Sequence, residues 1–142
     1  MPRSKITASE GLVVKYCSFT GTTSPIHTDP ESAVAAGYRA LVVPVDMYMQ
    51  LLREQIMQLH RISDGAGLGA SVSIEIIKSF CVGDTLEATT CLKELYTKTG
   101  RSGKMDFSLW ETILTNEYMN KVAVIQHTYV KGDRIPGDRN GE

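Results

Sequence analysis

The apolar residues of this chain change period once, and that change restricts the fold more than any other feature. Through residues 46–60 they recur at helical spacing. Tyr48, Leu51, Leu52, Ile56 and Leu59 share one face, Met47, Met49 and Met57 widen it, and Gln50, Arg53, Glu54 and Gln58 supply a wet side. This spacing predicts the longest helix of the chain, starting at Asp46 and largely buried. Beyond the Gly65-Ala66-Gly67-Leu68-Gly69 loop the period drops to two. Val72, Ile74 and Ile76 alternate with Ser71, Ser73 and Glu75, and Leu86, Ala88, Thr90 and Leu92 share one face. Met105, Phe107 and Leu109 alternate in a third segment, and residues 122–130 place Ala123, Ile125, His127 and Tyr129 on one side. Trp110 and Ile113 run out of phase around Glu111, which predicts a bulge or face switch there. Four strands joined by connections too short for parallel crossovers form an antiparallel sheet. One long apolar helix against one curled antiparallel sheet is an α+β layout.

Shorter elements precede the long helix. Thr7-Ala8-Ser9-Glu10 has the capping-box pattern, with the threonine serving early amides. Leu12, Val13, Tyr16 and Cys17 then form an apolar stripe that Gly21 ends. Asp29-Pro30-Glu31 is a second helix start, an N-cap acid followed by proline at the first helical position, and Gly37 is its C-cap. The apolar run Ala40-Leu41-Val42-Val43 stops at Pro44, and Val82-Gly83-Asp84 is a tight turn.

Length and charge limit the function classes. At 142 residues the chain fits one domain, and a net charge of -1 gives no basis for nucleic-acid binding or a basic membrane patch. No apolar run approaches the ~20 residues of a membrane span, and Pro2, Arg3, Ser4 and Lys5 lead into no secretory apolar stretch. Cys17, Cys81 and Cys91 are scattered, which fits reduced thiols in a cytoplasmic protein. No histidine, cysteine and acid cluster has metal-ligand spacing, and no cofactor is expected. The Gly65-x-Gly67-x-Gly69 stretch follows a helix and precedes a strand, the reverse of a phosphate loop.

Three stretches carry a family likeness: Ser24-Pro25-Ile26-His27-Thr28-Asp29-Pro30-Glu31, then Ala36-Gly37-Tyr38, then Lys78-Ser79-Phe80-Cys81-Val82-Gly83-Asp84-Thr85-Leu86. In this order and spacing the chain resembles the MaoC-like hotdog proteins, which include (R)-specific enoyl-CoA hydratases and hydroxyacyl-ACP dehydratases. The resemblance implies a single hotdog domain over residues 1–131, a long central helix wrapped by a curved antiparallel sheet, with residues 132–142 a flexible tail. It also implies a lyase acting on a CoA or carrier-protein thioester, and an isologous homodimer or a heteromer with a second hotdog subunit.

The family's hydratase loop reads Gly-Asp-x-Asn-Pro-aliphatic-His. Its aspartate falls on Thr22, its asparagine on Ser24 and its histidine on His27. A threonine hydroxyl is a poor base near neutral pH, so Thr22 and Ser24 are left to position water or a substrate oxygen, while His27 is the acid-base candidate. The other reading of His27 is a ring that braces the loop. Before the long helix, where many members carry His-Gly, this chain has Pro44-Val45-Asp46, so Pro44, Val45 and Tyr48 become the candidate substrate contacts. This segment resembles the substrate-binding subunits of heteromeric dehydratases. Asp46 is the N-cap of the long helix, or the acid of a hotdog thioesterase, or a replacement for the missing aspartate if it faces His27 across a dimer interface. Asp29 reads as an N-cap, His60 as a solvated helix-end residue, and His127 as a packed or exposed strand residue.

Overall fold

The computed structural model describes residues 3–62, 67–101 and 103–132, without the side chains of residues 61 and 62. Five strands form one antiparallel sheet in the order β1-β3-β4-β5-β2: β1 Arg3–Ile6, β2 Leu68–Ile76, β3 Leu86–Gly100, β4 Gly103–Thr115 and β5 Lys121–Gly132. Periodicity foresaw four of them. Strand β1 is too short for its alternation to show, and it exists because residues 3–6 pair along one edge of β3. The turn at Gly83 (φ 93°) joins no hairpin, since β2 pairs with β5 and lies across the sheet from β3.

Helix α1, Glu10–Thr20, begins at Ser9, whose Oγ accepts the Leu12 amide at 3.1 Å. Ser9, not Thr7, is therefore the cap. The chain leaves β1 at Ile6 and needs the next three residues to turn. Gly21 closes α1 in the left-handed region (φ 76°), a conformation a side chain would strain. Two short helices follow, α2 Pro25–Thr28 and α3 Pro30–Ala35. Asp29 precedes α3, but its carboxylate accepts from the Ser32 hydroxyl (2.6 Å), not from a backbone amide. Gly37 and Tyr38 donate to the carbonyls of Val34 and Ala33, both at 3.0 Å, the Schellman closure that glycine at this position permits.

The long helix is in pieces: a 3₁₀ turn Val45–Met47, α4 Tyr48–Leu51 and α5 Arg53–Ile62, interrupted at Leu52. At 10 residues α5 is no longer than the 11-residue α1. The buried stripe runs from Leu52, at the interruption, through Gln55 and Leu59 of α5 at steps of three and four residues, while Met57 is exposed. Helical and sheet elements meet over a core of Val13, Cys17, Val43, Met47, Tyr48, Phe80, Leu86, Leu114 and Ile125. Burial of side chains of this size contributes about 1.5–3 kcal/mol each.

The helix-facing side of the sheet shows the alternation foreseen for β5, with Ala123, Ile125, His127 and Tyr129 all buried. The irregularity near Trp110 is real but lies on the partner strand. Leu92 pairs with Trp110 and Glu94 with Leu109, so the register shifts at Lys93 of β3 while β4 runs straight. Gly132 ends β5; the rest of the proposed tail, with Gly65, Ala66 and Ser102, lies outside the described residues.

Candidate active site

Two consecutive residues of α1 hold the two segments that carry the candidate chemistry. Cys17 Sγ donates to the His27 carbonyl at 3.7 Å, and the Tyr16 hydroxyl donates to Asp46 Oδ2 at 3.0 Å. One turn of helix thus touches both the α2 loop and the entrance of the long helix. Asp46 lies inside the 3₁₀ turn that Pro44 caps, so it is not the N-cap, and it is exposed and committed to Tyr16. Desolvation, followed by the bond to Asp46, holds the Tyr16 hydroxyl above the usual phenol range.

His27 sits half-buried in α2, where Pro25 at the first helical position sets the backbone and the His27 amide bonds to the Ser24 carbonyl at 3.0 Å. Its Nδ1 lies 2.7 Å from the Val42 carbonyl oxygen. The Val42 amide in turn donates to the Ile26 carbonyl at 2.9 Å, so α2 and residue 42 are bound to each other twice. Val42 also bridges to Cys81, which ties the histidine's anchor to the strand-turn segment.

The remaining candidates are not gathered around the ring by hydrogen bonds. The Thr22 hydroxyl pairs with that of Thr20 at 2.9 Å. Ser24 caps α2 through its backbone, its carbonyl also accepting from the Thr28 hydroxyl at 3.3 Å. Pro44 is buried and Val45 is exposed. Tyr48 is fully buried in the core, its ring edge-on to Phe80 at 5.7 Å between centroids, and burial pushes its hydroxyl up to about 12. Among the described residues no three metal-ligating side chains cluster, and no helix is long and apolar enough to cross a membrane.

A second polar feature, under α5, escaped the sequence reading. Ser4 Oγ donates to Gln55 Oε1, Gln55 Nε2 to Thr90 Oγ1 at 2.7 Å, and Thr90 pairs with Thr112 at 2.7 Å. Thr112 Oγ1 meets His127 Nε2, and His127 Nδ1 meets the Tyr129 hydroxyl, both at 2.9 Å. The row crosses β1, α5, β3, β4 and β5. Its sign in the sequence was Thr90, Thr112 and His127 at inward positions of successive strands, a pattern visible only once the register is known. Burial lowers His127 to about 4, so it is neutral. His60 packs edge-on against Tyr129 at 5.2 Å between ring centroids, not simply toward solvent.

The sheet order and the helices packed against the sheet define a hotdog fold. A chain of the HadBC (3R)-hydroxyacyl-ACP dehydratase complex from Mycobacterium tuberculosis has this fold, with a TM-score of 0.81 at 18% identity and 90% of each chain covered. The (R)-hydratase from A. caviae involved in PHA biosynthesis gives 0.69 at 17% identity, with 91% of each chain covered. The ChsH1-ChsH2 complex from Mycobacterium tuberculosis gives 0.69 at 15% identity, covering 92% of this chain and 94% of that one. No curated protein sequence matches the chain. Residues 3–125 match the family described as FAS1-like, dehydratase domain region, and the chain belongs to that family.

Proposed function

We propose that this protein is a dehydratase-type lyase acting on a hydroxyacyl or enoyl thioester, with His27 as the acid-base. The observation that carries this reading is the contact from His27 Nδ1 to the Val42 carbonyl. A carbonyl oxygen only accepts, so Nδ1 carries a proton, and in the neutral ring the lone pair is on Nε2. In the dehydration direction Nε2 takes a proton from the carbon next to the thioester carbonyl. The carbon-carbon double bond forms as the β-hydroxyl leaves, and the imidazolium returns the proton to it as water. One group takes the proton and gives it back, so no second carboxylate is required. Thr22 and Ser24 position the departing water or a substrate oxygen. In this reading the thioester oxygen lies against the Val45 and Asp46 amides, which open the 3₁₀ turn and which helix geometry leaves without intrahelical partners, with Pro44 and Val45 beside it. Tyr48 supports this entrance from the core. Asp46 opposes negative charge there, which limits oxyanion stabilisation.

A second reading is supported by a specific observation: no carboxylate is hydrogen-bonded to His27 among the described residues, and Asp46 is engaged by Tyr16. In that reading the chain is the thioester-binding subunit of a heteromer whose partner supplies the acid. Similarity of fold to chains from two-component complexes is in keeping with it. Assaying the purified chain alone, with short and medium 3-hydroxyacyl-CoAs, separates the two. Enoyl absorbance formed by the chain alone supports the lyase; its appearance only on adding an intact hotdog partner supports the subunit.

A further inference from the structure

Strand β3 outruns its neighbour. Strand β1 pairs with it only at residues 86–89, so among the described residues no strand lies along residues 90–100 on the side away from β4. The bulge at Lys93 divides this edge, and beyond it residues 94–100 pair with β4 in unbroken register. Leu95, 69% exposed, belongs to this stretch. Unpaired backbone N–H and C=O groups along such an edge are a template for a further strand.

The side chains say which strand fits. Leu95 pairs with Ser108 and Thr97 with Asp106, which puts both on the helix-facing side with Trp110. Glu94, Tyr96 and Lys98 stand on the opposite face, beside Leu109, Phe107 and Met105. Tyr96 stacks on Phe107 at 4.9 Å between centroids, and the Lys98 ammonium lies 5.8 Å and 5.6 Å from the two ring centroids. Neither Glu94 nor Lys98 forms an ion pair among the described residues.

We propose that this edge pairs antiparallel with the same edge of a second copy, about a two-fold axis at Tyr96. An axis normal to the sheet keeps each face on its own side, so only residues of one face oppose each other. An axis at Glu94 or at Lys98 sets like charges opposite, and one at Leu95 or Thr97 leaves Glu94 against Tyr96 or Gly100. With the axis at Tyr96, Glu94 of each copy faces Lys98 of the other. Tyr96 meets its own counterpart, the two Phe107 rings flank the pair, and Thr97 of the second copy covers Leu95. Opposite charges and aromatic neighbours are the cross-strand pairs that stabilise a sheet. Strand β2 lies at the far end of the strand order, so the contact adds to a dimer made through β2 and does not compete with it. The stretch is short against the roughly 20–30 residues a side of a stable interface, so the pairing is weak and grows with concentration.

The test is sedimentation velocity of the full chain from micromolar to near-millimolar concentration. The mass of wild type rises above its dilute value. Glu94→Lys and Lys98→Glu each move that rise to a concentration about tenfold higher or more, since both attractive pairs become repulsive. Exchanging the two charges within one chain restores it, and Lys15→Glu, on an exposed lysine of α1, behaves as wild type. A second readout fixes the register. Residues directly opposite have Cβ atoms about 5 Å apart, so Tyr96→Cys forms a reducible crosslink between chains under mild oxidant. Wild type and Thr99→Cys, which is far from its own counterpart, do not. A constant mass in wild type, equal association by both charge reversals, or crosslinking as strong at Thr99→Cys as at Tyr96→Cys overturns the pairing. So does a charge exchange that fails to restore association while circular dichroism is unchanged. None of these readings uses turnover, so a failed dehydratase assay leaves them intact.

Discussion

The imidazole of His27 is held by the Val42 carbonyl at 2.7 Å, through a backbone atom that no side-chain substitution removes. The contact braces the ring and suits the base proposed for it: Nδ1–H locks α2 to residue 42, and in the neutral ring the same proton leaves Nε2 free to accept. The two readings of this residue, structural and catalytic, are therefore compatible.

Thr22 stands where the resembling loop carries an aspartate, and among the described residues its hydroxyl pairs with that of Thr20. If His27 alone moves the proton, then Thr22→Asp supplies a second group and raises enoyl-CoA hydration by roughly 10²-fold, the low end of acid-base contributions. Steady-state kinetics of the variant check this. A folded Thr22→Asp protein with no gain would count against the proposed pocket.

The row from Ser4 to Tyr129 makes stability depend on pH through His127. Gln55 Nε2 can only donate, which directs the hydroxyls of Thr90 and Thr112 so that His127 Nε2 accepts. Protonating Nε2 reverses that bond and strands a hydroxyl hydrogen in a buried site. With the folded value lowered to about 4 and an unfolded value near ~6.5, the unfolded chain binds the extra proton between these limits. Stability is thus fully present above about pH 6.5 and falls by roughly 2–4 kcal/mol as the pH drops to 4. Urea titrations at both pH values should show a smaller acid loss for His127→Gln than for wild type. Equal losses would show that His127 is not the titrating group.

Strand β2 has only β5 as a neighbour, and Val72 and Ile76 on its helix-facing side are 51% and 42% exposed. An apolar edge of this kind calls for cover. We expect light scattering to give twice the chain mass, and Val72→Lys to give single chains with the same circular dichroism. A monomeric wild type would contradict the oligomer reading.

The sequence announced most of the fold and the loop on which the proposed site is built. Helix-stop glycines and strand alternation are local signals, so Gly21, Gly37 and the inner face of β5 were legible. Strand β1 was not, because four residues carry almost no periodicity. The Lys93 bulge was displaced onto β4 in the reading, because one strand's phase cannot say which partner holds the extra residue. At the site, His27 was identified by its loop, but its anchor is a backbone carbonyl fifteen residues away and leaves no mark in side-chain identity. Gln55 was missed for a related reason: a lone polar residue on an apolar helix face shows its purpose only when the opposing threonines are in place.

The most direct test of the central claim compares wild type with His27→Asn and His27→Ala on a panel of enoyl- and 3-hydroxyacyl-CoAs, following enoyl absorbance and free thiol together. The asparagine amide can still donate to the Val42 carbonyl, so that variant keeps the loop while losing the base. The account predicts a lyase signal in wild type that falls by about 10²–10⁴-fold in both variants, with melting unchanged in His27→Asn. Undiminished enoyl formation in a folded His27→Asn protein, or thiol release as the only signal, would contradict it.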